Sequence, residues 1–75
     1  TDLKLSSARL PKKILEFTLD NQSVQFQTKS LKTAEKVGNG AFGTVHKVKM
    51  ALTASVRHLA VKVGRSVHVY PIIEN

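Results

Sequence analysis

The chain has 75 residues, with 12 Lys and Arg against 5 Asp and Glu, and a formal net charge of +7. A chain of this length forms one small domain, or a piece of one, and buries only about 60% of the surface that its unfolded form exposes. The lack of cysteine in these residues excludes a disulfide framework and a thiolate metal site, so order must come from packing of the 41% hydrophobic residues, and we expect it to be fragile.

The basic charge is typical of proteins that bind nucleic acid or anionic membranes. The lysines are spread along the chain from Lys4 to Lys62, and no cluster of basic and aromatic residues accompanies them. We therefore interpret the charge as a solvated face, expect no membrane partner, and regard nucleic acid as an unfavoured one. No apolar run approaches the ~20 residues of a membrane span. The N-terminal residues also lack the apolar segment of a secretory signal, which predicts a cytoplasmic location with the nucleus as the alternative.

Residues 1–13 mix polar, basic and scattered Leu residues around Pro11, which predicts a flexible leader. Residues 14–30 predict a β-hairpin, with strands at Ile14–Asp20 and Ser23–Thr28 about the turn-forming Asp20-Asn21-Gln22. Apolar residues alternate with polar ones along both strands, as in a half-buried pair: Leu15, Phe17, Leu19, Val24 and Phe26.

Three further strands are predicted, at Leu31–Val37, Thr44–Met50 and His58–Val63. Their connections, a glycine turn and then a polar loop, favour an antiparallel meander. A helix over Lys47–Arg57 is the alternative, because KVKMALTASVR contains good helix formers. The tail, 67–75, predicts another short strand in which Pro71 demands an edge position or an end.

A glycine motif carries the strongest chemical signal of the chain. Residues Val37 to Val45 read VGNGAFGTV, a G-x-G-x-x-G-x-V pattern. Glycine permits backbone conformations and close approaches that let backbone N–H groups surround phosphate oxygens. By itself this spacing is shared with dinucleotide-binding folds, and a plain glycine-rich hairpin turn is a third interpretation.

The surrounding sequence separates these interpretations. In a dinucleotide-binding fold the third glycine opens a helix and an acidic residue follows about 20 positions later. Here Thr44 to Lys49 has strand character, and that later region holds Lys62 in LAVKV, a charged residue in an otherwise apolar strand. An exposed strand lysine with its stem along the sheet is the structural alternative to an ammonium that binds phosphates.

Through VGNGAFGTV and LAVKV the chain resembles the N-lobe of the eukaryotic protein kinases. The resemblance covers about residues 14–63. It implies a mostly β fold, the antiparallel meander of an incomplete kinase domain at 31–66, preceded by the hairpin and the leader and followed by a divergent tail at 67–75. The expected cofactor is ATP, with Mg²⁺ only in a complete kinase domain, and the family reaction is phosphorylation of Ser, Thr or Tyr in a protein substrate.

The resemblance also implies site residues. Those over the ATP phosphates would be Gly38, Asn39, Gly40, Ala41, Phe42, Gly43 and Thr44. Phe42 would shield the phosphates from water, although an exposed turn aromatic is the alternative. Val45 and Ala60 would enclose the adenine and Val37 would pack at its edge. Lys62 would contact the α- and β-phosphates.

A finer resemblance is to the stress-type mitogen-activated protein kinase kinases, in which a short hairpin precedes the first N-lobe strand. Leu19 to Phe26, Ser30-Leu31 and Glu35-Lys36-Val37 carry it. Such kinases bear a docking peptide for their MAP kinase, and Arg9 to Phe17 is the candidate here. Its alternative is a solvated leader that runs into a strand.

Several kinase elements are missing from these residues. GRSVHVYPIIEN, after Lys62, lacks the periodicity of the helix that bears the glutamate partner of the strand lysine, and we expect Glu74 not to be that partner. No H-R-D or D-F-G sequence occurs, so we expect no catalytic residues and no kinase activity. His46, His58 and His68 lack clustered cysteine or acidic companions, which argues against a metal site.

The alternative function is that of a non-catalytic fragment that binds a MAP kinase or another kinase partner. A third possible function is that of a basic nucleic-acid-binding module.

Overall fold

A computed structural model describes residues 4–41 and 43–73. The fold is mostly β, with antiparallel strand pairs throughout and no α-helix among the described residues. The elements are β1 (Ser6–Arg9), β2 (Ile14–Leu19), β3 (Gln22–Gln27), a 3₁₀ turn (Thr28–Lys32), β4 (Glu35–Gly40), β5 (Gly43–Ala51), β6 (Val56–Val63) and β7 (Ser66–Pro71).

The strands form a five-stranded sheet in the order β1-β7-β6-β5-β4 and a separate hairpin of β2 and β3. The meander predicted for the middle of the chain is confirmed, because β4, β5 and β6 are antiparallel neighbours. The helical alternative for Lys47–Arg57 is wrong. β5 continues to Ala51, and a short turn in which the Leu52 amide donates to the Ser55 carbonyl (2.7 Å) leads into β6.

The predicted hairpin is also confirmed, with a tighter turn than expected. Leu19 pairs with Gln22, so Asp20 and Asn21 alone make the connection. Their φ angles of 53° and 62° are those of a type I′ turn, whose twist matches that of the two strands and for which Asn and Asp are favoured residues.

The hairpin packs its apolar face on one face of the five-stranded sheet. The buried residues from the two layers are Leu15, Phe17, Leu19, Val24 and Phe26 of the hairpin and Leu59, Val61, Val67 and Val69 of the sheet. At the tip of the hairpin, Arg57 Nη1 donates to Asp20 Oδ1 at 2.6 Å and the Thr53 amide donates to Gln22 Oε1 at 3.0 Å. At the open end, the Thr28 amide donates to the Lys13 carbonyl at 2.9 Å. Polar contacts thus join the tip of the hairpin to the sheet, whereas the Thr28 contact extends the pairing within the hairpin itself.

Two segments differ from the sequence-based expectations because they pair with each other. Ser6–Arg9, expected to be part of a flexible leader, forms β1 on the edge of β7. Ala8 lies opposite Val67 and packs against the core, and the Leu5 amide donates to the Val69 carbonyl at 2.7 Å. This pairing gives the segment backbone partners that its own composition does not predict.

The expected tail is an internal strand of the sheet. β7 lies between β1 and β6, and its Val67 and Val69 are fully buried. Pro71 is its last residue, where a missing N–H does little harm, so the predicted end position is confirmed and the edge position is wrong. The strand expected from Leu31 begins only at Glu35, because Thr28–Lys32 forms the 3₁₀ turn that links the hairpin to the sheet.

Candidate nucleotide-phosphate site

The five-stranded sheet has two faces of different character. The face under the hairpin, here called the covered face, carries the buried aliphatic residues. Cross-strand register and alternation place another set on the opposite, open face: Val45, Lys47, Lys49, His58, Ala60, Lys62, His68 and Tyr70. None of these eight residues is buried: Lys49 is exposed and the other seven are partly exposed. Any ligand of the sheet itself would therefore bind on the open face.

Three residues predicted to contact ATP lie together on this face. Val45 on β5 pairs directly with Lys62 on β6, and Ala60 is two residues before Lys62 on the same strand. Directly opposed residues of an antiparallel pair have Cβ atoms about 4.5–5.5 Å apart, which makes these side chains immediate neighbours. The structure thus combines a cation with two small apolar side chains on one surface.

The glycine motif forms the hairpin that joins β4 to β5. Gly40 pairs with Gly43, so the connection has two residues, of which Phe42 lies outside the described part of the chain. Gly43 has φ of +124°, and a Cβ there would lie 2.0 Å from the Val63 carbonyl oxygen. Its conformation and its contact with the end of β6 both require glycine. The third glycine of the motif therefore has a role in the fold, whatever it binds.

Other predicted loop residues are less well placed. Thr44 pairs with Val63, which puts its side chain on the covered face, away from Lys62. Its Oγ1 lies 3.2 Å from Nε2 of His46, the next residue on that face. Asn39 pairs with Thr44, while Gly40 and Ala41 are exposed and Val37 is 52% exposed. Of Thr44, only the backbone remains available to phosphate on the open face.

A shallow basic depression lies beside Lys62, at the turn from β6 to β7. Its volume is about 290 Å³, and its lining residues are Lys62, Gly64, Arg65, Ser66 and His68. An ammonium, a guanidinium, a hydroxyl and an imidazole are all groups that bind phosphate oxygens. The Gly43 contact with Val63 and Gly64 brings the glycine hairpin to the same end of β6.

Sequence reasoning missed Arg65, Ser66 and His68 because their place beside Lys62 depends on the tight turn from β6 to β7. One signal was available. In Val67-His68-Val69-Tyr70 the apolar residues alternate with ring-bearing ones, a pattern that predicts one buried and one exposed face of a strand.

The element that follows Lys62 is a strand. Val63 pairs with Val67, and the Gly64 amide donates to the Ser66 carbonyl at 3.0 Å, so β6 turns back at once into β7. Glu74, expected not to be the partner of Lys62, lies outside the described residues. Among the residues described, no group of His, Asp and Glu is placed to hold a metal ion.

The candidate docking peptide is divided between surface and core. Leu15 and Phe17 belong to the buried face of the hairpin, at 2% and 8% exposure, and Arg9 ends β1. Leu10 and Ile14 stay 38% and 41% exposed beside Lys12 and Lys13. A partner that needs Leu15 and Phe17 would have to displace the hairpin from the sheet. Docking to a MAP kinase through this segment stays a prediction.

Comparison of the chain with models of protein families, with curated proteins and with solved structures gives no match. No helix of the described residues is long and apolar enough to span a membrane.

Proposed function

We propose that the open face binds ATP, and that the chain is a nucleotide-binding β-sheet of the kind found in the N-lobe of protein kinases. The observation that supports this most directly is the convergence of Val45, Ala60 and Lys62 on one face beside the glycine hairpin. Val45 lies on β5, and Ala60 and Lys62 lie on β6. They are separated by up to 17 positions in the sequence, and the register of β5 with β6 brings them together.

Each part of the face suits a part of the nucleotide. Val45 and Ala60 present small apolar surfaces on which a planar base can lie, and Tyr70 pairs with Ala60 from the neighbouring strand. Lys62 supplies a positive charge for the phosphates. Arg65 and Ser66, at the rim of the basic depression, offer a planar fork of donors and a hydroxyl to the phosphate oxygens that extend past Lys62.

For these 75 residues we propose binding without phosphoryl transfer. Transfer depends on metal ions and a base held in position, and the sequence contains neither an H-R-D nor a D-F-G motif. In a complete kinase domain the same face would hold Mg-ATP for phosphorylation of a protein substrate, in a pathway of the MAP kinase kinase type.

A titration of Mg-ATP followed by amide NMR tests the proposal, with Lys62→Met beside the parent. We expect chemical-shift changes in Gly38 to Val45 and in Lys62 to His68, and we expect Lys62→Met to weaken them strongly. Lys49→Met is the matched control, because Lys49 lies on the same face toward the other end of β5 and outside the depression. ATP binding is excluded if the parent shows no shifts at saturating nucleotide. If Lys62→Met and Lys49→Met weaken the ATP-induced shifts equally, the shifts report a general attraction of ATP to positive charge and not a specific site at Lys62.

A further inference from the structure

Lysines that are far apart in the sequence converge on the open face. Lys47 and Lys49 lie on β5, and Lys62 lies on β6 two positions from the partner of Lys47. Across a sheet whose strands are about 4.8 Å apart and whose same-face residues repeat about every 6.8 Å, these three side chains form one patch. Glu35, opposite Lys47 on the edge strand, is the one acid that the described register places there. The spread of lysines along the sequence therefore does not describe their distribution in space.

Ring-bearing side chains lie among these cations. Tyr70 pairs with Ala60, His68 pairs with Lys62, and His58 pairs with Lys49. Tyr70, His58 and His68 are half-buried and lie on the open face. Tyrosine and histidine rings are the surfaces on which unstacked bases pack in single-strand-binding proteins, and the small Ala60 between Lys47 and Tyr70 leaves room over the sheet.

We propose that the open face binds single-stranded nucleic acid. The cations attract the phosphate backbone, and the rings of Tyr70, His58 and His68 take the bases. A single strand fits better than a duplex because the rings need the flat faces of bases, which a duplex keeps stacked inside. This function goes beyond ATP binding, since it uses Lys47, Lys49 and His58, which lie outside the depression at Lys62.

A second basic region provides the internal control. Lys13, Lys29 and Lys32 border a groove of about 720 Å³ at the open end of the hairpin, whose other lining residues are Leu10, Ile14, Gln27, Thr28, Leu31 and Val63. This groove has a comparable charge and no aromatic ring. If charge alone decided binding, the two regions would contribute equally.

The test uses the full chain and fluorescence anisotropy with a labelled single strand of about 10 nucleotides, within the range that one β-sheet platform occupies. Its competitors are the same sequence as a duplex and polyglutamate, a polyanion without bases. We expect the single strand to bind, the duplex to bind less well, and polyglutamate to compete poorly. Polyglutamate or duplex that competes as well as the single strand would overturn the proposal.

Variants locate the surface. Lys47→Ala with Lys49→Ala should weaken binding and lower the slope of log K against log salt by about 0.7 for each lysine. Lys29→Ala with Lys32→Ala, which removes the same charge elsewhere, should change the slope much less. An equal change in both double variants would show that binding is not on the open face.

Substitutions of Tyr70 separate the contribution of base stacking to the affinity from the contribution of charge. Tyr70→Leu should lower the affinity for the single strand by roughly tenfold and leave the affinity for polyglutamate unchanged. Tyr70→Phe keeps the ring and should keep the affinity, so the pair distinguishes loss of stacking from loss of folding. If Tyr70→Leu binds the single strand as tightly as the parent, the role of the rings is refuted.

The two proposals fail independently. Lys62→Met should strongly weaken the specific ATP shifts. On the longer surface it removes only one of several cations, and it should lower the salt slope for the single strand by about 0.7. A parent chain that binds the single strand but shows no shifts with Mg-ATP contradicts the first proposal and supports the second, and a parent chain that shows the ATP shifts but does not bind the single strand does the opposite.

Discussion

The covered and open faces of the five-stranded sheet are made by the same strands and differ in almost every property. On β6, Leu59 and Val61 are fully buried under the hairpin, while Ala60 and Lys62 face away from it. On β7, Val67 and Val69 alternate in the same way with His68 and Tyr70. Because side chains alternate along a strand, one element supplies both a packed face and an open face, and a substitution one residue away acts on the other face.

The largest expected effect is on the covered face. Leu59→Ala should destabilise the protein by about 2–5 kcal/mol, because it leaves a cavity between the two layers of the core. Lys49→Ala, an exposed change on the open face of the neighbouring strand, should stay within about 0.5 kcal/mol. Urea denaturation followed by circular dichroism measures both. Similar midpoints for the two variants would contradict the division of roles between the faces.

The glycine hairpin, at the end of β5 that approaches the β6–β7 turn, should show the next largest effect. Gly43→Ala places a Cβ 2.0 Å from the Val63 carbonyl oxygen at φ of +124°, and we expect a loss of about 1–3 kcal/mol or more. Gly38→Ala places its Cβ at an ordinary 3.6 Å from Val45 Cβ, and it should leave the stability unchanged or raise it by up to about 1 kcal/mol, because Ala loses less chain entropy than Gly in a strand. Thermal unfolding of both variants makes the comparison. An unchanged melting temperature for Gly43→Ala would refute the structural role of this glycine.

A smaller effect is expected where the hairpin tip meets the sheet. The Arg57–Asp20 pair has a 2.6 Å contact, but the two side chains are 28% and 43% exposed, so water and salt screen it. A double-mutant cycle with Arg57→Ala and Asp20→Ala should give a coupling of about 0.2–1 kcal/mol that falls as salt is added. A coupling well above this range, insensitive to salt, would show that the tip contributes as much to stability as the core does.

Local sequence patterns predicted the elements whose partners are close in the chain. The alternation of Leu15, Phe17 and Leu19 with polar residues, followed by a turn-forming pair, is enough to predict the hairpin and its buried face. The β4-β5-β6 meander was predictable for the same reason, because each strand pairs with the next one along the sequence.

Pairing between distant segments was not predictable from the same patterns. Ser6–Arg9 is a short, polar segment with no strand signal of its own, and it becomes β1 because β7 has backbone groups to pair with. β7 is in turn an internal strand because β1 covers its edge. Both outcomes depend on contacts across some 60 positions of sequence, which no local pattern reports.

The candidate site was predicted in part. The glycine motif and Lys62 were found from spacing and residue type, and Val45 and Ala60 were assigned through the resemblance to protein kinases. In the structure Val45 and Lys62 lie side by side. Thr44 was included in the loop, although alternation turns its side chain to the covered face. Arg65, Ser66 and His68 were missed because their place beside Lys62 depends on the tight β6–β7 turn.

By itself, the sequence determined the hairpin, the order of the meander and the chemical types available to a phosphate, because these follow from periodicity, turn residues and spacing over a few positions. The tertiary structure decided which side chains share a face. Register converts alternation along each strand into rows across the sheet, and it gathers Lys47, Lys49 and Lys62 on one surface with Tyr70. Register is a property of paired strands, so the basic open face exists only once the sheet has formed.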